Sequence, residues 1–222
     1  MEKLIENYEN QLTCSDKILY QIQNFELLSL IYDDETKYVL NGEDTDMYIK
    51  PNFGVFKYDN LEQILLIRQL INFVCSKFNC SDSNLELFKN DALVDVIVLK
   101  NCVIKFYSLK KYHYLLPIFS LKHANIENVL FKTETKYFGM VVTEKLFTCD
   151  KIKVDTEQLL QDITQGLSAL KKINFTHNDC RIDNIGFNKG NYVLYDFGIS
   201  SLGGTKDDLR DLYISLKFKN LL

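Results

Sequence analysis

The chain of 222 residues contains no tryptophan, two prolines and nine glycines, and no glycine falls between Gly54 and Gly139. That interval therefore holds no glycine-rich loop of the kind that lets a backbone lie directly against a bound group, an approach that a Cβ hinders. Asp and Glu are missing from everything between Lys105 and Ile126, so a lysine at the start of that stretch has no local carboxylate. No apolar run approaches the length needed to span a bilayer, and Met1-Glu2-Lys3 opens a polar, acidic helix rather than a signal peptide. The expectation is an intracellular, cytoplasmic protein with no membrane partner. A net charge of −4 with no basic stripe argues against nucleic acid as a partner, since binding by counterion release needs clustered cations. The six cysteines, at 14, 75, 80, 102, 149 and 180, show no metal-binding spacing and read as reduced thiols.

What is present is the composition of an ordinary globular chain, 46% apolar and 25% charged, long enough for one two-lobed domain or two small ones. Apolar stripes of helical period predict helices over Glu2–Leu12, Asp16–Ile31 and Asn60–Phe78, with strand-like pieces between Tyr38 and Tyr58. The turn-rich cluster Asn79–Asn84 then suggests a boundary, giving a helical N-terminal extension over 1–85 and a second domain over 86–222. In that domain Asp95–Tyr107 reads as two β-branched strands around Lys100-Asn101, and Asn128–Phe147 as a hairpin broken at Lys132–Lys136. Leu159, Leu160, Ile163, Leu167 and Leu170 form the apolar stripe of a helix over Thr156–Ile173. A last helix over Lys206–Leu216 is capped by Thr205 or Asp207. Pro117 should break or kink any helix through Tyr112–Ser120.

The segment that names a chemistry is Thr176–Ser200. Asp179 precedes Asn184 by five positions, and Asp196-Phe197-Gly198 follows twelve later, after the strand-like Tyr192–Tyr195. Phosphoryl transfer asks little covalent chemistry of a protein; it needs a carboxylate to orient a hydroxyl and hard oxygen ligands to hold Mg²⁺ against phosphate oxygens. Asp179 suits the first task, Asn184 and Asp196 the second, and His177 is structural.

This spacing is that of the kinase signature H-R-D-x-x-x-x-N followed by D-F-G, with Asn178 in place of the arginine. The stretch from about Val94 to Leu216 resembles the protein-kinase-like superfamily. The short link from Asp196-Phe197-Gly198 to an Asp-rich helix is similar to its compact RIO and KEOPS-complex branches, and His177-Asn178-Asp179 also resembles the loop of choline and aminoglycoside kinases. The resemblance implies an α+β, two-lobed kinase-like fold with a reduced N-lobe (86–146), a truncated C-lobe (147–222) and extra N-terminal helices. It implies ATP and Mg²⁺ as cofactors, with Asp179 as catalytic acid/base and Asn184 and Asp196 on the metal. Lys105, in the V-A-I-K-like Val103-Ile104-Lys105, would meet the nucleotide phosphates, with Lys100 and Lys50 as rivals; His123-Ala124-Asn125-Ile126, similar to the H-P-N-I turn of kinases, favours Lys105. Glu144-Lys145-Leu146 would be the hinge, where Glu144 and Leu146 meet adenine through their backbones. Asp208 or Asp211 would brace the catalytic loop, and Glu62 is a candidate to replace the missing regulatory glutamate. The implied function is an ATP-dependent phosphotransferase, Ser/Thr protein kinase-like. The alternative is an inactive pseudokinase, a binding or regulatory module for another kinase or a host protein, since richness in Asn, Ile, Lys, Tyr and Phe without Trp suggests an AT-rich, viral or parasite genome.

Overall fold

In the computed structural model, residues 38–40, 43–45, 61–79, 85–90 and 94–222 are described. The predicted helices at Glu2–Leu12 and Asp16–Ile31, Lys50, the Glu62 side chain and the turn cluster beyond Asn79 lie outside the described residues. Strand β1 (Tyr38–Leu40) pairs antiparallel with β2 (Glu43–Thr45). The predicted stripe over 60–78 forms helix α1 (Leu61–Lys77), in which Ile67, Ile71, Val74 and Cys75, four and then three and four residues apart, are buried.

The β-branched stretch that follows folds as expected. Strands β3 (Leu85–Asn90), β4 (Val94–Leu99) and β5 (Cys102–Ser108) pair antiparallel in succession, with Lys100 and Asn101 in the tight connection between β4 and β5. Helix α2 (Leu109–Ser120) comes next, then β6 (Val129–Glu134) and β7 (Phe138–Glu144), and the sheet runs in the order β3-β4-β5-β7-β6. The predicted hairpin break is where Thr135 caps the turn, its Oγ1 accepting from the N–H groups of Tyr137 and Phe138 at 3.1 Å each. Strand β7 is buried from Phe138 to Thr143 and reads accordingly as a continuous apolar run, and Phe138 meets Phe106 edge-on at 5.3 Å.

One expectation fails: α2 runs through Pro117. The helix is held by its buried stripe Tyr112, Leu115, Ile118 and Phe119, while Pro117 and His113 lie on its exposed side.

The chain divides into two compact units: residues up to Lys110 with Thr133–Val142, and Lys111–Lys132 with Thr143–Leu222. In the second, β8 (Phe147–Thr148) leads through a 3₁₀ turn (Cys149–Lys151) to α3 (Thr156–Lys172), then β9 (Phe175–Thr176), a 3₁₀ turn (Ile182–Asn184), β10 (Ile185–Asn188), β11 (Asn191–Leu194), β12 (Ser201–Leu202) and α4 (Asp208–Phe218). Its strands form a three-stranded sheet, β11-β10-β8, and the pair β12-β9. Asp155 caps α3 by accepting from Gln158 N–H at 3.1 Å, and Leu159, Ile163, Gly166 and Leu170 bury its stripe. Of the two caps foreseen for the last helix it is Asp207 that serves, accepting from Arg210 N–H at 3.1 Å. The His123–Ile126 turn is packed onto this unit: Asn125 donates to the Tyr192 carbonyl at 3.0 Å, and its own carbonyl accepts from Leu194 N–H at 3.0 Å. Gly166 is required there, since a Cβ would stand 2.8 Å from that carbonyl. Among the described residues no helix is long and apolar enough to cross a membrane.

Candidate active site

The eleven residues between Asn184 and Asp196 are folded back by a hairpin. Lys189 and Gly190, both with positive φ (51° and 84°), make the two-residue turn that joins β10 to β11, a geometry suited to the twist of a hairpin. Ile185 thus stands opposite Leu194, and the Tyr195 N–H donates to the Asn184 carbonyl at 3.0 Å. Asn184 and Asp196 therefore flank the same end of the hairpin.

Asp179 is held in place by three donors. Arg181 grips both carboxylate oxygens, Nε to Oδ1 at 2.8 Å and Nη2 to Oδ2 at 3.1 Å, and Asn184 Nδ2 reaches Oδ2 at 2.8 Å. The same amide donates to the Asp179 carbonyl at 2.9 Å. With its nitrogen so committed, the Asn184 side chain presents an oxygen that accepts no hydrogen bond from the described residues. Asp196 uses one oxygen weakly, Oδ1 accepting from Gly198 N–H at 3.3 Å, and its φ is 63°. A carboxylate has about four acceptor sites, so most of this one is left for a cation. A neutral amide oxygen and a carboxylate are the hard donors that Mg²⁺ takes sparingly from proteins, and this pair fits that ion. Among the described residues no group of three or more His, Cys, Asp and Glu side chains gathers to bind a metal.

His177 is fully buried, its ring edge-on to Phe197 at 5.1 Å. Burial holds its pKa below the ordinary value, against the opposing pull of the Tyr195 carbonyl and nearby aspartates. The neutral ring satisfies both nitrogens: Nε2 donates to the Tyr195 carbonyl at 2.9 Å and Nδ1 accepts from Asp179 N–H at 3.2 Å. It is a structural histidine, as its setting in the sequence suggests.

The loop is braced from α4. Asp208 Oδ2 accepts from His177 N–H at 2.9 Å and Oδ1 from Asn178 N–H at 2.8 Å, so of the two aspartates considered it is Asp208 that does this; Asp211 pairs with Lys206 at 2.7 Å. Two turns further along the same helix face, Ser215 Oγ accepts from Ile182 N–H at 2.9 Å. Leu212 and Leu216 are buried on that face. Asn178, where the kinase signature has arginine, has φ 68° and donates to the Ile199 carbonyl at 2.9 Å and to Ser201 Oγ at 2.8 Å. It ties the loop directly to the segment after the Asp196–Gly198 turn.

The hinge candidates lie on the same unit. Glu144 is clamped to the β10–β11 turn, accepting from Asn188 Nδ2 at 2.8 Å and pairing with Lys189 at 2.7 Å. Its own N–H is spent on the Asn128 carbonyl at 3.2 Å. Leu146 packs on Gly186, where a Cβ would come within 2.5 Å of the leucine Cβ. Lys105 belongs to the other unit, buried on β5 opposite Val96.

Arg181 and Ser215 were not singled out from the sequence. Arg181 had a legible signal, a cation two residues beyond the motif aspartate; Ser215 had one only given Asp208, seven residues earlier on the same face. Cys180 beside the motif is fully buried, its thiol pKa pushed up by that burial and by the surrounding aspartates. A separate cavity of about 540 Å³, lined by Cys149, Asp150, Lys153, Asp183 and Lys219 among others, includes none of Asp179, Asn184 and Asp196.

No family model matches the chain, and no curated protein matches it. Among solved structures the chain is similar to monomeric WbdD, at 18% sequence identity and a TM-score of 0.47, over 62% of this chain and 42% of that one. The chain thus spans less than half the length of that structure.

Proposed function

We propose that the chain is an ATP-dependent phosphotransferase of the protein-kinase type that works through a Mg²⁺-bound nucleotide, with a hydroxyl, of the Ser/Thr kind, as acceptor. The observation that carries this reading is the Asp179 carboxylate fixed by Arg181 and Asn184, with the Asn184 amide nitrogen committed to Asp179 and its oxygen left open, at the hairpin end that Asp196 also flanks. In the reaction Asp179 orients the incoming hydroxyl and accepts its proton as the new phosphorus–oxygen bond forms and the bond from the γ-phosphorus to the departing ADP breaks. Arg181 holds that carboxylate and places positive charge next to the transferred group. Bound Mg²⁺ would neutralise charge on the phosphate oxygens, with Asn184 and Asp196 as its protein ligands. Leu146 is the hinge position for adenine, and Glu144 fixes the hinge to the hairpin turn.

One observation favours a second reading, a nucleotide-binding pseudokinase that acts as a partner for another protein: helix α2 carries no acidic residue with which a phosphate-binding lysine is usually paired. A single assay separates the two. Purified chain with Mg²⁺ and γ-labelled ATP should label itself or a generic protein substrate, Asp196→Ala should abolish the transfer, and Asp179→Asn should slow it by roughly 10²–10⁴. Mg²⁺-dependent ATP binding without transfer would establish the binding module, and neither binding nor transfer would refute both.

A further inference from the structure

The backbone of Asp196 is in a left-handed conformation (φ 63°), which a non-glycine residue keeps only where its surroundings over-determine it. On either side of it, Tyr195 N–H is bonded to the Asn184 carbonyl and Phe197 packs on His177. Downstream, residues 199–204 are fastened at several points. Most come from the run 174–178 that precedes and opens the catalytic loop: the two Asn178 side-chain bonds, Ser200 Oγ on the His177 carbonyl at 3.2 Å, the β12–β9 pairing, Gly203 N–H on the Asn174 carbonyl at 2.8 Å, and Thr176 Oγ1 on the Gly204 carbonyl at 2.9 Å. The Gly203-Gly204 pair is dictated by this closure, Gly203 by its φ of 62° and Gly204 because a Cβ would stand 2.7 Å from Thr176 Oγ1.

The remaining fastening comes from elsewhere. β12 is an edge strand, and Leu202 N–H donates to the Tyr114 hydroxyl at 2.6 Å. Tyr114 stands on α2, its ring edge-on to Phe175 of β9 at 5.6 Å and the Lys111 ammonium 5.2 Å from its centroid. Its hydroxyl both satisfies the outer edge of β12 and links α2 to the segment that follows the metal-binding turn. It does so from within the very stretch that lacks Asp and Glu.

We infer that Tyr114 is a positioning residue: its hydroxyl ties helix α2 to the strand after Asp196-Phe197-Gly198 and so holds that turn in its metal-binding conformation, a coupling made by a neutral hydrogen bond instead of a carboxylate. This rests on the reading of Asp196 as a Mg²⁺ ligand. The test compares the full chain with Tyr114→Phe, which keeps the ring on Phe175 and deletes only the acceptor. Hydrogen exchange of the peptide covering 199–204 should accelerate roughly fivefold, as expected for one lost hydrogen bond. The Mg²⁺ concentration giving half-maximal ATP binding should rise by a similar factor, roughly fivefold, with binding restored at saturating Mg²⁺. A purely structural hydroxyl would lower thermal stability and leave the Mg²⁺ requirement where it was. Unchanged exchange over 199–204, or faster exchange with an unmoved Mg²⁺ requirement, overturns the inference alone. A wild-type chain that shows no Mg²⁺-dependent ATP binding overturns the functional reading and this inference with it, and the wild-type titration makes the two failures distinguishable.

Discussion

The two compact units position their candidate residues by different means. In the second unit, hydrogen bonds that cross large sequence intervals set the geometry: Asp208 and Ser215 on α4 fix the backbone of the 177–182 loop, and a two-residue turn brings Asn184 and Asp196 to one end of a hairpin. In the first unit, Lys105 is placed by strand register and burial on β5, opposite Val96. The contrast teaches that an unusual backbone, such as the left-handed Asn178, can be held by a side-chain acceptor from elsewhere, here Asp208, whereas a group projecting from a regular strand needs only the strand.

Four changes would break or sharpen that contrast. The largest effect is expected from Asp208→Ala, which leaves two backbone N–H groups of the loop without their acceptor. At about 1–3 kcal/mol each the loss is about 2–6 kcal/mol, read as a lowered urea midpoint with the m-value unchanged. Lys105→Met should behave in the opposite way, reducing phosphoryl transfer by roughly 10²–10³ while leaving Asp179 and its bonds intact. A transfer rate within twofold of wild type would contradict the phosphate-binding role that the resemblance implies for Lys105. Gly186→Ala must push Leu146 away from a 2.5 Å approach, at a cost of about 1–3 kcal/mol, and should weaken ATP binding more than it slows saturated turnover. Equal effects on both would detach Leu146 from the nucleotide.

The smallest effect is one of pH. His177 is neutral when folded, its pKa held below the ordinary value by burial, whereas in the unfolded chain it takes up a proton below about 6.5. The unfolded state therefore binds more protons in that range. The contribution of His177 is complete above about pH 6.5 and is lost as pH falls through about 6.5 towards the folded-state value. Thermal melts of wild type and His177→Gln over that interval should converge as the pH drops; parallel curves would mean that His177 is charged in the fold.

Much of the fold was legible because period and turn chemistry are local. The stripe of α3, the paired strands β4 and β5 and the hairpin break at 132–136 follow from side-chain alternation and a few polar residues. The spacing of Asp179, Asn184 and Asp196 was legible for the same reason, being carried by one short segment. Pro117 misled because a stripe buried on the opposite face of α2 carries the helix through proline, and that burial is a tertiary fact. Ser215, Tyr114 and the Leu146–Gly186 contact were hidden because each acts on a partner 33 to 88 residues away. Nothing in the local pattern distinguishes a hydroxyl that braces a loop from one that faces water.

The central claim is that Asn184 and Asp196 hold a Mg²⁺ that in turn holds ATP. Thermal unfolding of the wild-type chain and of Asp196→Ala, each with ATP in the presence and absence of Mg²⁺, tests it most directly. The account predicts a stabilising shift in the wild type that requires both ATP and Mg²⁺ and is lost in Asp196→Ala. No shift in the wild type, or the same shift in the variant, would contradict it.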